Sequence, residues 1–192
     1  MPQDTLLTAL NRMLRIEPDY TKARLQLLQM LIQRRDMAAV AEICHEGILY
    51  EPSEITYYYY QGTALYQLGQ DMQAIKVLQK GVERIDENTD KLLASDVYAL
   101  LGDVLHDHGL KEEAYLAYDR SLNHNATNGL CLNNYAYFLS LSGRNLDKAE
   151  EMSRRAVDLQ SSEPSFLDTY AWILYLKKQY EQARIYIDEA LR

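Results

Sequence analysis

The chain has 192 residues, of which 25% are charged and 47% hydrophobic, and its formal net charge is −8. Such an acidic chain lacks the basic face that binds nucleic-acid phosphates, so nucleic acid is not expected among its partners. No apolar run reaches the roughly 18 residues of a membrane span, and the N-terminus lacks the basic-then-apolar pattern of a signal peptide. Only eight Gly and four Pro, with no alternating strand patterns between turns, predict an all-α fold.

A lone amphipathic helix is predicted over residues 4–16, where leucine and methionine recur three or four residues apart. It ends before Pro18, and Pro52, 34 residues further on, ends a later helix. Because this distance is the length of one helix–turn–helix repeat, the chain divides into five units. The predicted repeats span residues 21–54, 55–88, 95–128, 129–163 and 164–192.

Two departures from the 34-residue period are predicted. Residues 89–94 are an insertion whose composition favours a lengthened helix over a flexible linker. One further residue is added at Arg144 or Asn145, in the turn of the fourth repeat.

The segment 97–122, VYALLGDVLHDHGLKEEAYLAYDRSL, carries the clearest motif. Its large and small residues recur at helical spacing on both sides of a turn at Gly109: Tyr98, Leu101, Gly102, Leu105, Ala114, Tyr118 and Ser121. Small residues recur at the same positions of other repeats, namely Gly62, Ala136, Ala171, Ala74, Ala149 and Ala183. Close helix approach requires small side chains at such points, and a generic bundle would not repeat them at this interval.

On these residues the chain resembles the tetratricopeptide repeat family over nearly its whole length, with Tyr at the family's Trp and Phe sites. The segments DKAEEMSRRAVDL and LDTYAWILYLKKQYEQARIYIDEAL resemble the C-terminal repeats of long bacterial members, many of them exported. The resemblance implies a right-handed α-solenoid of five helix pairs preceded by one helix. It also implies a bacterial parent protein that is longer than this chain and exported, although the residues themselves indicate no compartment.

In this family the first helix of each pair lines a concave groove that binds a peptide or protein segment. Carried over position by position, the resemblance implies these groove residues: Tyr59, Thr63, Tyr66, Asp96, Asp103, His106, Asn133, Tyr137, Asp168, Trp172 and Tyr175. Aromatic rings supply rigid contact area, and the carboxylates favour a partner with basic residues. The family's Lys-Asn-Arg clamp for acidic chaperone tails is not expected, because only Lys22 and Asn133 match it.

Two other functions stay open at this stage. The repeats could form a structural array that spaces flanking domains or dimerises through an uncapped terminal repeat, because solenoid ends need covering. A remote alternative is a metal-dependent site at Asp103 and His106, which lie with Asp107 at i, i+3 and i+4 of one helix. No second ligand cluster accompanies them in the sequence, so neither a metal nor a cofactor is expected.

Catalysis is not predicted, because no nucleophile–base pair, phosphate-binding loop or paired-carboxylate motif occurs at a defined site. Cys44 and Cys131 have no CxxC spacing and lie three repeats apart. Both are therefore predicted to be free thiols.

Overall fold

The computed structural model describes residues 2–143 and 145–192, and within them the chain forms eleven α-helices and no strand. The helices are α1 (Pro2–Ile16), α2 (Thr21–Gln33), α3 (Met37–Tyr50), α4 (Ile55–Gln67), α5 (Asp71–Val82), α6 (Lys91–Asp107), α7 (Lys111–His124), α8 (Gly129–Leu141), α9 (Leu146–Leu159), α10 (Pro164–Leu176) and α11 (Tyr180–Ala190). The all-α prediction is confirmed. In these ranges no helix has the length and apolar character that a membrane span requires.

Five helix pairs, from α2–α3 to α10–α11, turn back through a residue in the left-handed conformation, and the α8–α9 turn has a second one at Asn145. The residue found in every turn is Gly69, Gly109 or Gly143 in the three central pairs, and Arg35 or Lys178 in the two outer ones. Glycine takes this conformation at little steric cost, and asparagine, found at Asn145, is among the side chains that tolerate it best. Each turn is short enough to hold its two helices side by side.

The helix α6 is longer than its neighbours, with 17 residues. Its N-cap is Asp90, whose side chain accepts a hydrogen bond from the Leu93 amide at 2.9 Å. Residues 91–94 of the predicted insertion therefore form the first turn of this helix. Of the two positions predicted for the extra residue, Arg144 lies outside the described residues and Asn145 is the N-cap of α9.

The first helices of consecutive pairs pack against one another from α4 through α6 and α8 to α10. No such backbone approach joins consecutive second helices in the described ranges, and α2 meets α4 through side chains alone. Because the first helices are packed and the second helices are spread apart, the stack is an α-solenoid with its concave face on α4, α6, α8 and α10. We call the part of this face on α4, α6 and α8 the groove.

Two hydrophobic clusters hold the stack together. The N-terminal core joins α1, α2 and α3 and includes Tyr57 and Ala64 from α4. The main core extends from Ile55 and Leu65 of α4 to the end of the chain. Helix α4 thus contributes one face to each core.

Cys44 and Cys131 are buried free thiols, as predicted. Burial raises the pKa of each thiol to about 12. Both are therefore protonated at neutral pH and pack as small apolar side chains.

The closest approach inside the third pair lies between Gly102 of α6 and Tyr118 of α7. A Cβ atom on Gly102 would lie 2.5 Å from Cε1 of the Tyr118 ring, which is fully buried. The hydroxyl of Tyr118 donates to Oδ1 of Asp103 at 2.7 Å, and Nδ2 of Asn134 donates to both Asp103 oxygens at 3.1 Å. This junction links α6, α7 and α8.

We predict that Gly102→Ala destabilises the fold by about 1–3 kcal/mol, because the added methyl group must displace the Tyr118 ring. Helix propensity alone would favour the substitution by about 1 kcal/mol. Urea unfolding followed by circular dichroism measures the difference. The control Ala38→Gly, at an exposed site on α3, should cost only about 0.5–1 kcal/mol. A gain in stability for Gly102→Ala would contradict the close contact.

We predict that stability depends on pH through Asp103. Burial raises the pKa of this carboxyl from 3.8 to about 6, against the opposing effect of the bonds from Tyr118 and Asn134. Between these values the folded chain keeps a proton that the unfolded chain has lost, so stability falls as the pH rises from about 4 to 6. Since one pKa unit corresponds to about 1.4 kcal/mol, the loss is at most about 3 kcal/mol.

The measurement compares urea unfolding of the wild type and Asp103→Asn at several pH values between 4 and 7. The wild type should lose stability relative to the variant over this range, and parallel curves would contradict the prediction. The control Asp158→Asn alters an exposed i,i+4 pair with Arg154 and should change stability by only a few tenths of a kcal/mol, since exposed pairs contribute little.

Candidate peptide-binding groove

Helix α4 forms one edge of the groove with three of the predicted residues. Tyr59 is half-buried, and its carbonyl accepts a hydrogen bond from the Thr63 hydroxyl at 2.9 Å. Burial, followed by the nearby acidic side chains, raises the pKa of Tyr59 to about 12, so its hydroxyl stays a donor at neutral pH. The hydroxyl of Tyr66 donates to Asp107 on α6. Tyr66 therefore ties α4 to α6.

Asp96 lies at the N-terminal end of α6 and is exposed. Its Oδ1 accepts a hydrogen bond from Nδ2 of Asn128 at 3.0 Å, and the same nitrogen reaches Oγ of Ser95 at 3.0 Å. Ser95 is in turn 2.9 Å from Oγ of Ser121, so a buried polar network underlies this part of the groove. Asp96 is held in place by the network but still faces solvent.

His106 is packed between groove helices. Its ring stacks on Phe138 of α8 with centroids 3.5 Å apart, and burial lowers its pKa, so the ring is neutral at pH 7. Its Nδ1 lies 3.7 Å from Oδ1 of Asp107, which is too long for a hydrogen bond.

These contacts argue against the metal site considered at Asp103 and His106. Both oxygens of Asp103 accept hydrogen bonds from Tyr118 or Asn134, so their lone pairs point at donors and not at a cation. Among the residues with described side chains, no three His, Cys, Asp or Glu form a group that could hold a metal.

The two predicted residues on α8 differ in exposure. Asn133 is only 7% exposed and donates to Oδ1 of Asn134 at 3.2 Å. Tyr137 is 39% exposed, and its ring lies tilted against Phe138 with centroids 5.6 Å apart. Of this pair, Tyr137 is the side chain that a bound segment could reach directly.

The three predicted residues on α10 lie together, away from the others. Asp168, Trp172 and Tyr175 line a cavity between α10 and α11 at the end of the stack. The rings of Trp172 and Tyr175 stack with centroids 6.0 Å apart, and Tyr180 of α11 adds a third ring 5.5 Å from Tyr175. The predicted set therefore divides between the groove on α4, α6 and α8 and this terminal cavity.

Three residues that the sequence analysis did not place in the groove shape it. Asn134 holds Asp103, Phe138 supports His106, and Asp107 receives Tyr66. Each acts across two helices, and the 34-residue spacing does not specify which side chains meet between repeats. The only available signal was the position of Asp107 one turn after Asp103.

No family model matches the sequence, and no curated protein matches it. Several solved structures match it by fold. PilF of Pseudomonas aeruginosa is 16% identical with a TM-score of 0.74, covering 100% of this chain and 78% of that one. MamA, from residue 41 to its end, of Desulfovibrio magneticus RS-1 is 18% identical with a TM-score of 0.70, covering 88% and 92%.

A third similar structure is YrrB, described as a TPR protein with an unusual peptide-binding site. It is 16% identical with a TM-score of 0.69, and the match covers 95% of this chain and 91% of that one. Identities this low bear on the fold alone, and they confirm the one predicted from the small-residue motif. The chain has the α-solenoid fold of the tetratricopeptide repeat proteins.

Proposed function

We propose that the chain is a non-catalytic scaffold that binds a segment of another polypeptide in the groove on α4, α6 and α8. The observation that carries the proposal is the chemistry of this face, where exposed carboxylates lie beside aromatic rings on neighbouring first helices. The fold supports it, because stacked first helices provide a rigid, open surface suited to an extended or helical segment.

The partner segment is proposed to carry Lys or Arg. Asp96 is exposed, and the side chain of Asp107 is 46% exposed. Tyr137 lies on the adjacent helix α8 with its ring accessible. Because Asp96 and Asp107 lie about 16 Å apart along α6, they would take two different basic side chains of the segment, and an aliphatic stem could pack on the Tyr137 ring. The net charge of −8 disfavours nucleic acid as the partner.

The other groove candidates are proposed to act mainly as supports. Tyr66, Asp103 and His106 use their polar atoms or ring faces in contacts between helices. Tyr59 and Thr63 are half-buried and would offer partial contact area. Asn133 is buried, so a role in clamping a peptide backbone would require its side chain to turn outward.

The groove is tested with the double variant Asp96→Asn/Tyr137→Ala, which removes one charge and one ring but keeps an acceptor for Asn128. A peptide array that ranges from Lys- and Arg-rich to Asp- and Glu-rich sequences first identifies a basic binder. Fluorescence anisotropy of that labelled peptide should then show roughly tenfold weaker binding by the variant, about 1.4 kcal/mol.

The matched control is Glu151→Gln/Leu116→Ala, which removes one charge and one exposed apolar side chain from second helices. It should bind the peptide as the wild type does. Equal binding of acidic and basic peptides would contradict the partner chemistry, and an equal loss in both variants would contradict the location.

A second candidate function is self-association through the last repeat, which would make the chain an array that holds two grooves together. The observation that favours it is the terminal cavity, which exposes Trp172, Tyr175 and Tyr180 on one face.

Export of a longer bacterial parent protein stays a prediction, and fractionation of cells that express the full gene product would test it.

A further inference from the structure

The terminal cavity is an apolar depression of about 440 Å³ between α10 and α11. Its apolar walls are Ala171, Trp172, Tyr175, Tyr180, Ala183 and Ile187, and Asp168 and Arg184 also line it. Tyr175 and Tyr180 are 54% and 55% exposed. An apolar surface with several exposed rings is typical of an interface.

The same positions are covered at the internal junctions of the stack. In the three preceding repeats, the residues equivalent to Ala183 and Ile187 all have 0% exposure. They are Ala74, Ala114 and Ala149 for Ala183, and Leu78, Tyr118 and Ser153 for Ile187. Tyr118, for example, lies under the rings of Tyr135 and Phe138 from the following first helix. At the terminal cavity Ala171 and Ala183 are also buried, but the aromatic rim of Trp172, Tyr175 and Tyr180 is left exposed within the described chain.

The charges at the cavity differ from those at the preceding junction. Glu150, equivalent to Arg184, pairs there with Lys177 at the end of the following first helix. If the α10 helix of a second copy packed here in the direction of a next first helix, its Lys177 would approach Arg184. The two positive charges would then repel each other. The reversed direction brings Asp168 towards Arg184 instead.

Both charged residues are available for such contacts. Asp168 is exposed and has no ion pair in the described residues. Arg184 has only Asp188 on its own helix, 3.7 Å away, and its side chain is 78% exposed. Opposite charges on the two sides of one apolar patch make that patch self-complementary.

We propose that the terminal cavity binds the same surface of a second copy in a two-fold symmetric dimer. In this arrangement the α10 helices run antiparallel and the stacked Trp172 and Tyr175 of each copy fill the cavity of the other. Asp168 of each copy pairs with Arg184 of the other, as an isologous interface requires. The inference rests on the proposed self-association and specifies its geometry.

The test is a charge exchange followed by sedimentation over a wide range of concentrations. The wild type should reach twice the 22.3 kDa mass of one chain. Asp168→Arg and Arg184→Asp should each raise the dimer dissociation constant at least tenfold. An equimolar mixture of the two variants should dimerise again, since the heterodimer restores both pairs, and the double variant should do so alone.

The control is Arg154→Asp, which breaks the similar i,i+4 pair with Asp158 on α9 and should leave the dimer intact. A wild type that stays monomeric would overturn both self-association and this geometry. This holds also if the cavity proves to bind a helix of another protein. A dimer that neither single variant weakens, or a mixture that does not recover, would overturn the geometry alone. Peptide binding by the monomeric variants reports on the groove separately.

Discussion

The approach of a backbone to a large side chain, permitted by glycine, determines how the helices of this chain pack. Gly62 faces Leu78 and Gly102 faces Tyr118, and a Cβ at either glycine would lie 2.5 Å from the partner side chain. Because each repeat contacts only its neighbours, these local spacings set the geometry of the whole stack. These contacts set the spacing within the pairs α4–α5 and α6–α7, and separate packing between consecutive first helices places those helices in the row that forms the groove.

The loops before α2 and α4 are fixed by a second recurring contact, made by different side chains. Arg24 donates to the carbonyl of Pro18 at 2.5 Å, and Tyr58, at the equivalent position, donates to the carbonyl of Pro52 at 2.9 Å. The buried guanidinium also lies 5.2 Å from the centre of the Tyr50 ring, whose face favours a cation. A basic and an aromatic residue thus serve the same purpose, and the proline carbonyl is the common acceptor.

The fold was predictable because helix pairing depends on small residues at fixed positions, which a sequence displays directly. The groove was predictable only in part. Tyr66 and His106 occupy positions expected to face a ligand, but the packing of consecutive first helices turns them towards the next repeat. Their partners, Asp107 and Phe138, depend on how two helices cross, and the spacing along one helix does not encode this.

The surroundings of the groove positions in the last repeat were also not predictable from the sequence. Asp168, Trp172 and Tyr175 match groove positions of the family, but within the described residues they line the terminal cavity between α10 and α11. Their surroundings depend on whether another helix packs on this repeat, and the residues of the repeat alone do not specify that.

The division between the two cores has a mechanical consequence. The N-terminal core is connected to the rest of the stack through α4, which packs on α3 and contributes Tyr57 and Ala64 to that core. Parts of a protein that have a core of their own can open at lower free energy than the global transition, and the first three helices form such a unit. Tension on the N-terminus would therefore peel these helices away first, and the groove helices would keep their shape until the main core yields.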